Sequence, residues 1–278
     1  LELCGELRFE SIRIKEVDDL KFTYPDGHAA VTGVSFNVPR AESVALMGAN
    51  GAGKSTLLLC LVGVNAASGR IIVDGIELNA ETVQSIRSRV GFVFQNPEHQ
   101  LFSPSVLEDV MFGPLNLGLS REEALARADD VLDKLALSHL RKRAPQRLSQ
   151  GEKKKVALAT ALAMDPGILI MDEPTAGLDP RSSTQLIDIF FRLKDEGKTM
   201  LVATHDMHLV EETADRIIVL GESGGMIREG LPADILGDSG FLAGQNLIHE
   251  HGHYHARERH GHPHLHGHQD EGHPHTHG

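Results

Sequence analysis

The chain has 278 residues, of which 41% are hydrophobic and 24% charged, with a formal net charge of −12. This is the composition of an ordinary globular protein of one large or two small domains. The acidic balance excludes a general nucleic-acid binder, which favours basic surfaces. The longest uncharged run, residues 55–69, is fifteen residues interrupted by Gly, Asn and Ser, too short and too polar to span a bilayer. No charged-then-apolar leader is evident, so a cytosolic protein is expected. Cys4 and Cys60 are far apart and in no paired motif, which indicates neither a disulfide nor a metal clip. Cys60, set among leucines, reads as a small core residue.

In chain order, residues 17–24 and 31–38 have strand composition around the turn cluster Pro25-Asp26-Gly27-His28 and predict an antiparallel edge. Tyr24, one residue before the turn, is open to two readings: packing at a strand end, or a platform for an adenine ring. The apolar run Ser43-Val44-Ala45-Leu46-Met47 predicts a buried strand, and the Leu-rich residues 55–62 predict a helix. Between them lies Gly48-Ala49-Asn50-Gly51-Ala52-Gly53-Lys54-Ser55-Thr56, which matches the phosphate-binding loop G-x-x-x-x-G-K-[ST] in the strand–loop–helix context that the motif requires. Glycines let the backbone approach phosphate oxygens, and the amides and dipole of the helix N-terminus favour the anion. Lys54 would reach the β- and γ-phosphates of a nucleoside triphosphate, and Ser55 would bind Mg²⁺.

Residues 70–75 read as a short strand and turn, and residues 90–94 as a buried strand ending in Gln95-Asn96-Pro97. Helical spacing over 121–137, with Ser120 as N-cap, predicts a helical subdomain inserted in an α/β core over about 100–165. Leu148-Ser149-Gln150-Gly151-Glu152 opens a helix expected over 153–164, which Asp165-Pro166 stops. The run Ile168-Leu169-Ile170-Met171-Asp172-Glu173 predicts a strand buried on both faces that delivers two carboxylates at its C-terminal end. Beside a phosphate loop, Asp172 can hold Mg²⁺ through its water shell and Glu173 can polarise the attacking water. Strands at 199–203 and 216–220, a last hairpin strand at 225–230 and a short helix at 232–236 complete the pattern, with His205 directly after the first of these.

Taken together, these motifs resemble the ATP-binding subunit of an ATP-binding-cassette (ABC) transporter, over residues from about 17 to 236. The resemblance implies an α/β fold: a phosphate-loop nucleotide triphosphatase core with an antiparallel β edge and an inserted α-helical subdomain. It also implies an ABC ATPase domain over 1–236, then a linker over 237–247. The signature loop departs from the commoner Leu-Ser-Gly-Gly-Gln, because Gln150 replaces a Gly and Glu152 the Gln; Ser149 and Gly151, the expected donors to a γ-phosphate, remain. By the same resemblance Gln95 senses Mg²⁺ and the attacking water, Asp179 belongs to the D-loop, His205 is the switch histidine, and Tyr24 stacks on adenine. A signature loop in this family completes the site of the opposite subunit, so ATP would be hydrolysed only by a homo- or heterodimer.

Gln95-Asn96-Pro97-Glu98-His99-Gln100-Leu101-Phe102 and the following Phe112-Gly113-Pro114 are similar to the Q-loop region of energy-coupling-factor importers, including the cobalt and nickel group. His99 stands where that family commonly has an acidic residue. The resemblance implies a transmembrane scaffold protein docked on this region, a substrate-binding membrane subunit, and a peripheral location on the cytoplasmic face of the plasma membrane.

Composition changes after Leu247: of 17 histidines, 12 lie in the last thirty residues, as His249, His251, His253, His255, His260, His262, His264, His266, His268, His273, His275 and His277. The His-x-His spacing differs from the unbroken block of a purification tag. Residues 248–278 hold too little apolar surface for a core and are expected to be disordered without a ligand. Imidazoles this dense suit Ni²⁺, Co²⁺, Zn²⁺ or Cu²⁺, and they would release metal as they protonate near about pH 6. The expected function is thus the ATPase of a nickel or cobalt importer. Vitamin uptake by the same motor, or a soluble ABC ATPase with a metal-storage tail, are the alternatives.

Overall fold

A computed structural model describes residues 13–255 and 258–264. Strands β1 (Arg13–Thr23) and β2 (Ala29–Pro39) pair antiparallel across the predicted turn, with Val17 opposite Phe36 and Phe22 opposite Val31. Strand β3 (Ser43–Gly48) is buried at every position and leads into α1 (Lys54–Leu61). Strands β4 (Ser68–Val73) and β5 (Ile76–Glu77) then join the first pair in a four-stranded sheet of order β2-β1-β4-β5. The antiparallel edge expected ahead of β3 is therefore a separate sheet. The reason lies in β3, whose two flanks are occupied by parallel partners from later in the chain, which leaves β2 no free edge to join.

After α2 (Val83–Arg87) and β6 (Val90–Val93) the chain leaves the core for three helices, α3 (Val106–Asn116), α4 (Arg121–Lys134) and α5 (Gln150–Leu162). Ser120 caps α4 as expected, in a reciprocal capping box with Glu123. The signature helix α5 begins three residues earlier than the sequence suggests, because Ser149 is its N-cap and Glu152 closes a second capping box. Return to the core is made by β7 (Ile168–Asp172), α6 (Pro180–Asp195), β8 (Thr199–Ala203), α7 (Met207–Thr213), β9 (Arg216–Leu220) and β10 (Met226–Gly230).

The second sheet has six strands in the order β10-β9-β3-β8-β7-β6; all its pairings are parallel except β10 with β9. Strands β3, β7 and β8 are buried on both faces, as parallel strands covered by helices must be. One core lies between the sheets and encloses α1, six of whose eight residues are buried. A second packs the three inserted helices and α6 against the opposite face of the six-stranded sheet, and Cys60 is fully buried in the first. Arg216 fastens the layers: its guanidinium donates to both Glu42 carboxylate oxygens (2.9 and 2.7 Å), to the Asn37 carbonyl of β2 (2.7 Å) and to Glu229 of β10.

Helices α8 (Pro232–Leu236) and α9 (Ser239–Gly244) follow. Residues 237–247, expected as a linker, instead belong to the folded body, since Leu242 and Leu247 are buried beside Ile235 and Met47. Among the described residues, strands β11 (His249–His255) and β12 (Glu258–His264) pair only with each other. A lone two-stranded ribbon is marginal in water, the same physical weakness that underlies the expectation of disorder without a ligand. His266, His268, His273, His275 and His277 lie outside the described residues. Among the described residues no helix is long and apolar enough to cross a membrane.

Candidate nucleotide site

Parallel pairing puts the C-terminal ends of β3, β6, β7 and β8 along one rim of the sheet, where ligands of open α/β sheets bind. From these ends issue the phosphate loop, Gln95, the Asp172–Glu173 pair and His205. They meet at a cleft of about 320 Å³ lined by Tyr24, His28, Ala30, Asn50, Gly51, Gly53, Lys54, Ser55, Thr56, Gln95 and Glu173.

The phosphate loop is fixed by what surrounds it. Gly53 has φ +89°, and a Cβ there would lie 2.1 Å from the backbone oxygen of Ala30. This glycine is therefore required by the packing of the loop on β2 as well as by access to phosphate. Lys54 is buried and donates to the carbonyls of Gly48 (2.7 Å) and Ala49 (3.3 Å), with the Glu173 carboxylate 3.9 Å away. Burial holds its ammonium below the ordinary lysine value, against the opposing pull of Glu173 and Asp172. Tyr24 spans the cleft mouth, its hydroxyl 2.8 Å from that of Thr56 and its ring roughly parallel to His28 at 6.3 Å.

Asp172 is buried, and burial raises its pKa, with the Ser55 hydroxyl beside it acting in the other direction. Its Oδ1 is buried and has no hydrogen-bond partner among the described residues. A buried orphan carboxylate oxygen next to a hydroxyl is the oxygen donor set that Mg²⁺ takes, with phosphates and water completing its shell. Among the described residues no cluster of three or more His, Cys, Asp or Glu is gathered to hold a metal without such help.

Glu173 is buried and adopts φ +45°, a sparsely populated conformation for a residue with a side chain. Its Oε2 is 2.9 Å from His205 Nδ1, and this hydrogen bond raises the His205 pKa above its ordinary value. His205 sits between buried Thr204 and the N-cap Asp206, which also accepts from Thr175 at 2.8 Å.

Ser149, Gly151 and Asp179 do not line the cleft. Ser149 and Asp179 are exposed and cap α5 and α6, whereas Gly151 packs closely on Ser182. The unusual Glu152 accepts from the Ser149 amide at 2.8 Å, which lowers its pKa and strengthens the start of the signature helix. Sequence reasoning missed His28, which the turn beside Tyr24 signalled, and Lys154. The latter is 6% exposed and donates to the Glu173 carbonyl at 2.7 Å; burial pushes its ammonium down to about 8, against the pull of Glu173 and Asp172.

A phosphate loop, paired carboxylates and a histidine bonded to one of them, on a largely parallel sheet with an inserted helical layer, define a nucleotide triphosphatase of the ATP-binding-cassette class. Residues 31–176 match the ABC transporter family, and the chain belongs to it. The chain is 46% identical over 235 residues to the energy-coupling factor transporter ATP-binding protein EcfA of Methanothermobacter thermautotrophicus, covering 84% of this chain and 75% of that one. It is also similar to CbiO1 of Clostridium perfringens, part of the ABC transporter complex CbiONQ, with TM-score 0.74 and 37% identity over 84% of this chain and 95% of that one. A dimeric, post-hydrolysis ATP-binding cassette, MJ0796, bound to ADP and Pi, matches with TM-score 0.71 and 30% identity over 78% of this chain and 98% of its own. The chain is thus an ATPase, the ATP-binding subunit of an energy-coupling-factor type of ABC transporter.

Proposed function

We propose that this subunit energises import of a transition-metal cation, nickel or cobalt, through an energy-coupling-factor transporter. The hydrolytic part of this reading is carried by the Glu173 carboxylate, buried at the phosphate-loop cleft between Lys54 at 3.9 Å and His205 at 2.9 Å. In this reading the loop from Gly48 to Thr56 cradles the phosphates of ATP, and Tyr24 stacks on the adenine. Ser55, Gln95 and Asp172 would hold Mg²⁺, which would supply charge neutralisation on the transferred phosphoryl group. Glu173 accepts the proton of the attacking water, and His205 contacts the γ-phosphate. Ser149, Gly151 and Asp179, set apart from the cleft of their own chain, serve the nucleotide of a second ATPase subunit. ATP binding closes that dimer and product release opens it, and the free-energy difference between the states drives the membrane partners. Those partners are a transmembrane scaffold and a substrate-binding subunit, on whose cytoplasmic side this chain docks.

The metal assignment is supported by the likeness to CbiO1 and by the histidines from His249 to His277, a dense imidazole set suited to Ni²⁺, Co²⁺ or Zn²⁺. The test is cellular nickel and cobalt by elemental mass spectrometry, comparing wild type with Lys54→Ala. A fall in one metal is expected and identifies the cargo. Unchanged levels of both would refute metal import and move vitamin uptake to the front.

A further inference from the structure

Lys154 is a buried cation that the nucleotide site as described does not use. It lies on α5, five residues after Ser149, and reaches into the core of its own chain rather than into the cleft. Burying an ammonium is unfavourable unless its hydrogen bonds are made. A side chain needed here only to fill space would be apolar, as Val156, Ala157 and Leu158 beside it are.

What the ammonium meets is the backbone of Glu173. The peptides on both sides of its Cα are held: the Glu173 N–H donates to the Ala203 carbonyl at 2.8 Å, and the Glu173 carbonyl accepts from the Ala176 amide at 3.2 Å and from Lys154 Nζ at 2.7 Å. The residue so held has φ +45°, a conformation that persists only where its surroundings over-determine it. Rotating this peptide back to an ordinary conformation would swing the carboxylate away from Lys54 and His205. The Lys154 bond is the shortest of the three and the only one made by a side chain.

We propose that Lys154 is a positioning residue for Glu173: it holds the Glu173 peptide in its left-handed conformation and so aims the carboxylate at the phosphate-loop cleft. The role rests on the reading of Glu173 as the group that activates water. It also gives α5, whose first turn carries Ser149 and Gly151, a direct hold on the hydrolytic carboxylate of its own chain.

Two variants of the full chain test this. Lys154→Met nearly keeps the volume but offers no donor, and Lys154→Gln offers a neutral donor; both side chains are one bond shorter than that of lysine. Steady-state MgATP hydrolysis gives kcat, and titration with a fluorescent ATP analogue gives the nucleotide Kd. Misplacing a reacting group by about 1 Å costs roughly 10²-fold in rate. The expected order of kcat is therefore wild type, then Lys154→Gln, then Lys154→Met, spanning about 10- to 100-fold, with Kd constant within about twofold. A folded variant that keeps wild-type kcat overturns the proposal. So does a loss of nucleotide affinity that parallels the loss of rate, the mark of a general structural role. If Lys154→Met does not fold, the kcat and Kd of Lys154→Gln are sufficient to decide between these outcomes. Glu173→Gln in the same assay separates the two ideas: a stalled Glu173→Gln beside a fully active Lys154→Gln sinks only the positioning role, whereas a fully active Glu173→Gln sinks the reading on which it rests.

Discussion

The phosphate loop offers a quantitative test through two glycines in the same backbone region but with different surroundings. Gly51 has φ +86° with nothing within 4 Å of an added Cβ, whereas Gly53 has φ +89° with the Ala30 oxygen 2.1 Å from that position. An alanine in the left-handed region costs about 1–2 kcal/mol at either site. At Gly53 the added carbon must also separate from the Ala30 backbone oxygen, which belongs to β2. Overpacking of this kind costs a further ~1–3 kcal/mol. At roughly 2–4 °C per kcal/mol for a chain of this size, Gly51→Ala should lower Tm by about 2–8 °C, and Gly53→Ala by a further 2–12 °C or so. Differential scanning calorimetry of the nucleotide-free protein measures both. Equal melting temperatures for the two variants, within about 1 °C, would refute the claim that contact with β2, and not phosphate access alone, demands glycine at position 53.

Further outcomes follow from the same geometry. Glu173→Gln should keep ATP affinity but lower kcat by about 10²–10⁴-fold, the usual contribution of a general base, and should accumulate as an ATP-bound dimer on size-exclusion chromatography; wild-type turnover would contradict this. Because the Glu173 hydrogen bond raises the His205 pKa, the pair's contribution to stability is fully present below about pH 6.5 and is lost as pH rises through the raised folded-state value. The Tm advantage of wild type over His205→Ala should accordingly shrink between pH 6 and pH 9, and an advantage that grows would reverse the sign of the argument. Ser120→Ala and Ser149→Ala each remove a cap worth about 1 kcal/mol and should lower Tm similarly. Only Ser149→Ala should also lose ATPase activity, and equal activities would deny Ser149 a role at the partner's nucleotide. Deleting residues 248–278 should leave kcat unchanged while abolishing Ni²⁺ and Co²⁺ binding in equilibrium dialysis at neutral pH, and retained binding would place the metal elsewhere in the chain.

The parts of this molecule legible in its sequence are those whose function and partners lie close along the chain. The phosphate loop needs only its own strand and helix, and Asp172 and Glu173 end an apolar run that can be nothing but a buried strand. The capping box of Ser120 with Glu123 spans three residues and reads directly. Helix α3 was concealed by Pro114 in its interior, a residue that ordinarily ends a helix. The antiparallel pair β1 and β2 was legible but not the four-stranded sheet it belongs to, because strand composition specifies pairing capacity and not partners: β4 lies on the second edge of β1.

Lys154 shows where such reading stops. In the run Lys153-Lys154-Lys155 each residue has the same local chemistry, and three lysines in succession describe a solvated helix face. Helical geometry, about 100° per residue, sends the three in different directions. Lys153 reaches Glu98 at 2.7 Å and Lys155 reaches Gln185 at 3.0 Å, both at exposed contacts. Lys154 turns inward to a carbonyl nineteen residues away in sequence, on a different element. Gln100 makes a parallel case: it accepts from the Phe94 amide at 3.2 Å and donates to the Ala157 carbonyl of α5 at 2.8 Å, joining the strand end before Gln95 to the signature helix. Neither role is signalled by the residue's local sequence, because the work of each is to hold a backbone that belongs to another segment. Motifs name the groups that touch the nucleotide; the groups that orient them become visible only when the segments are brought together.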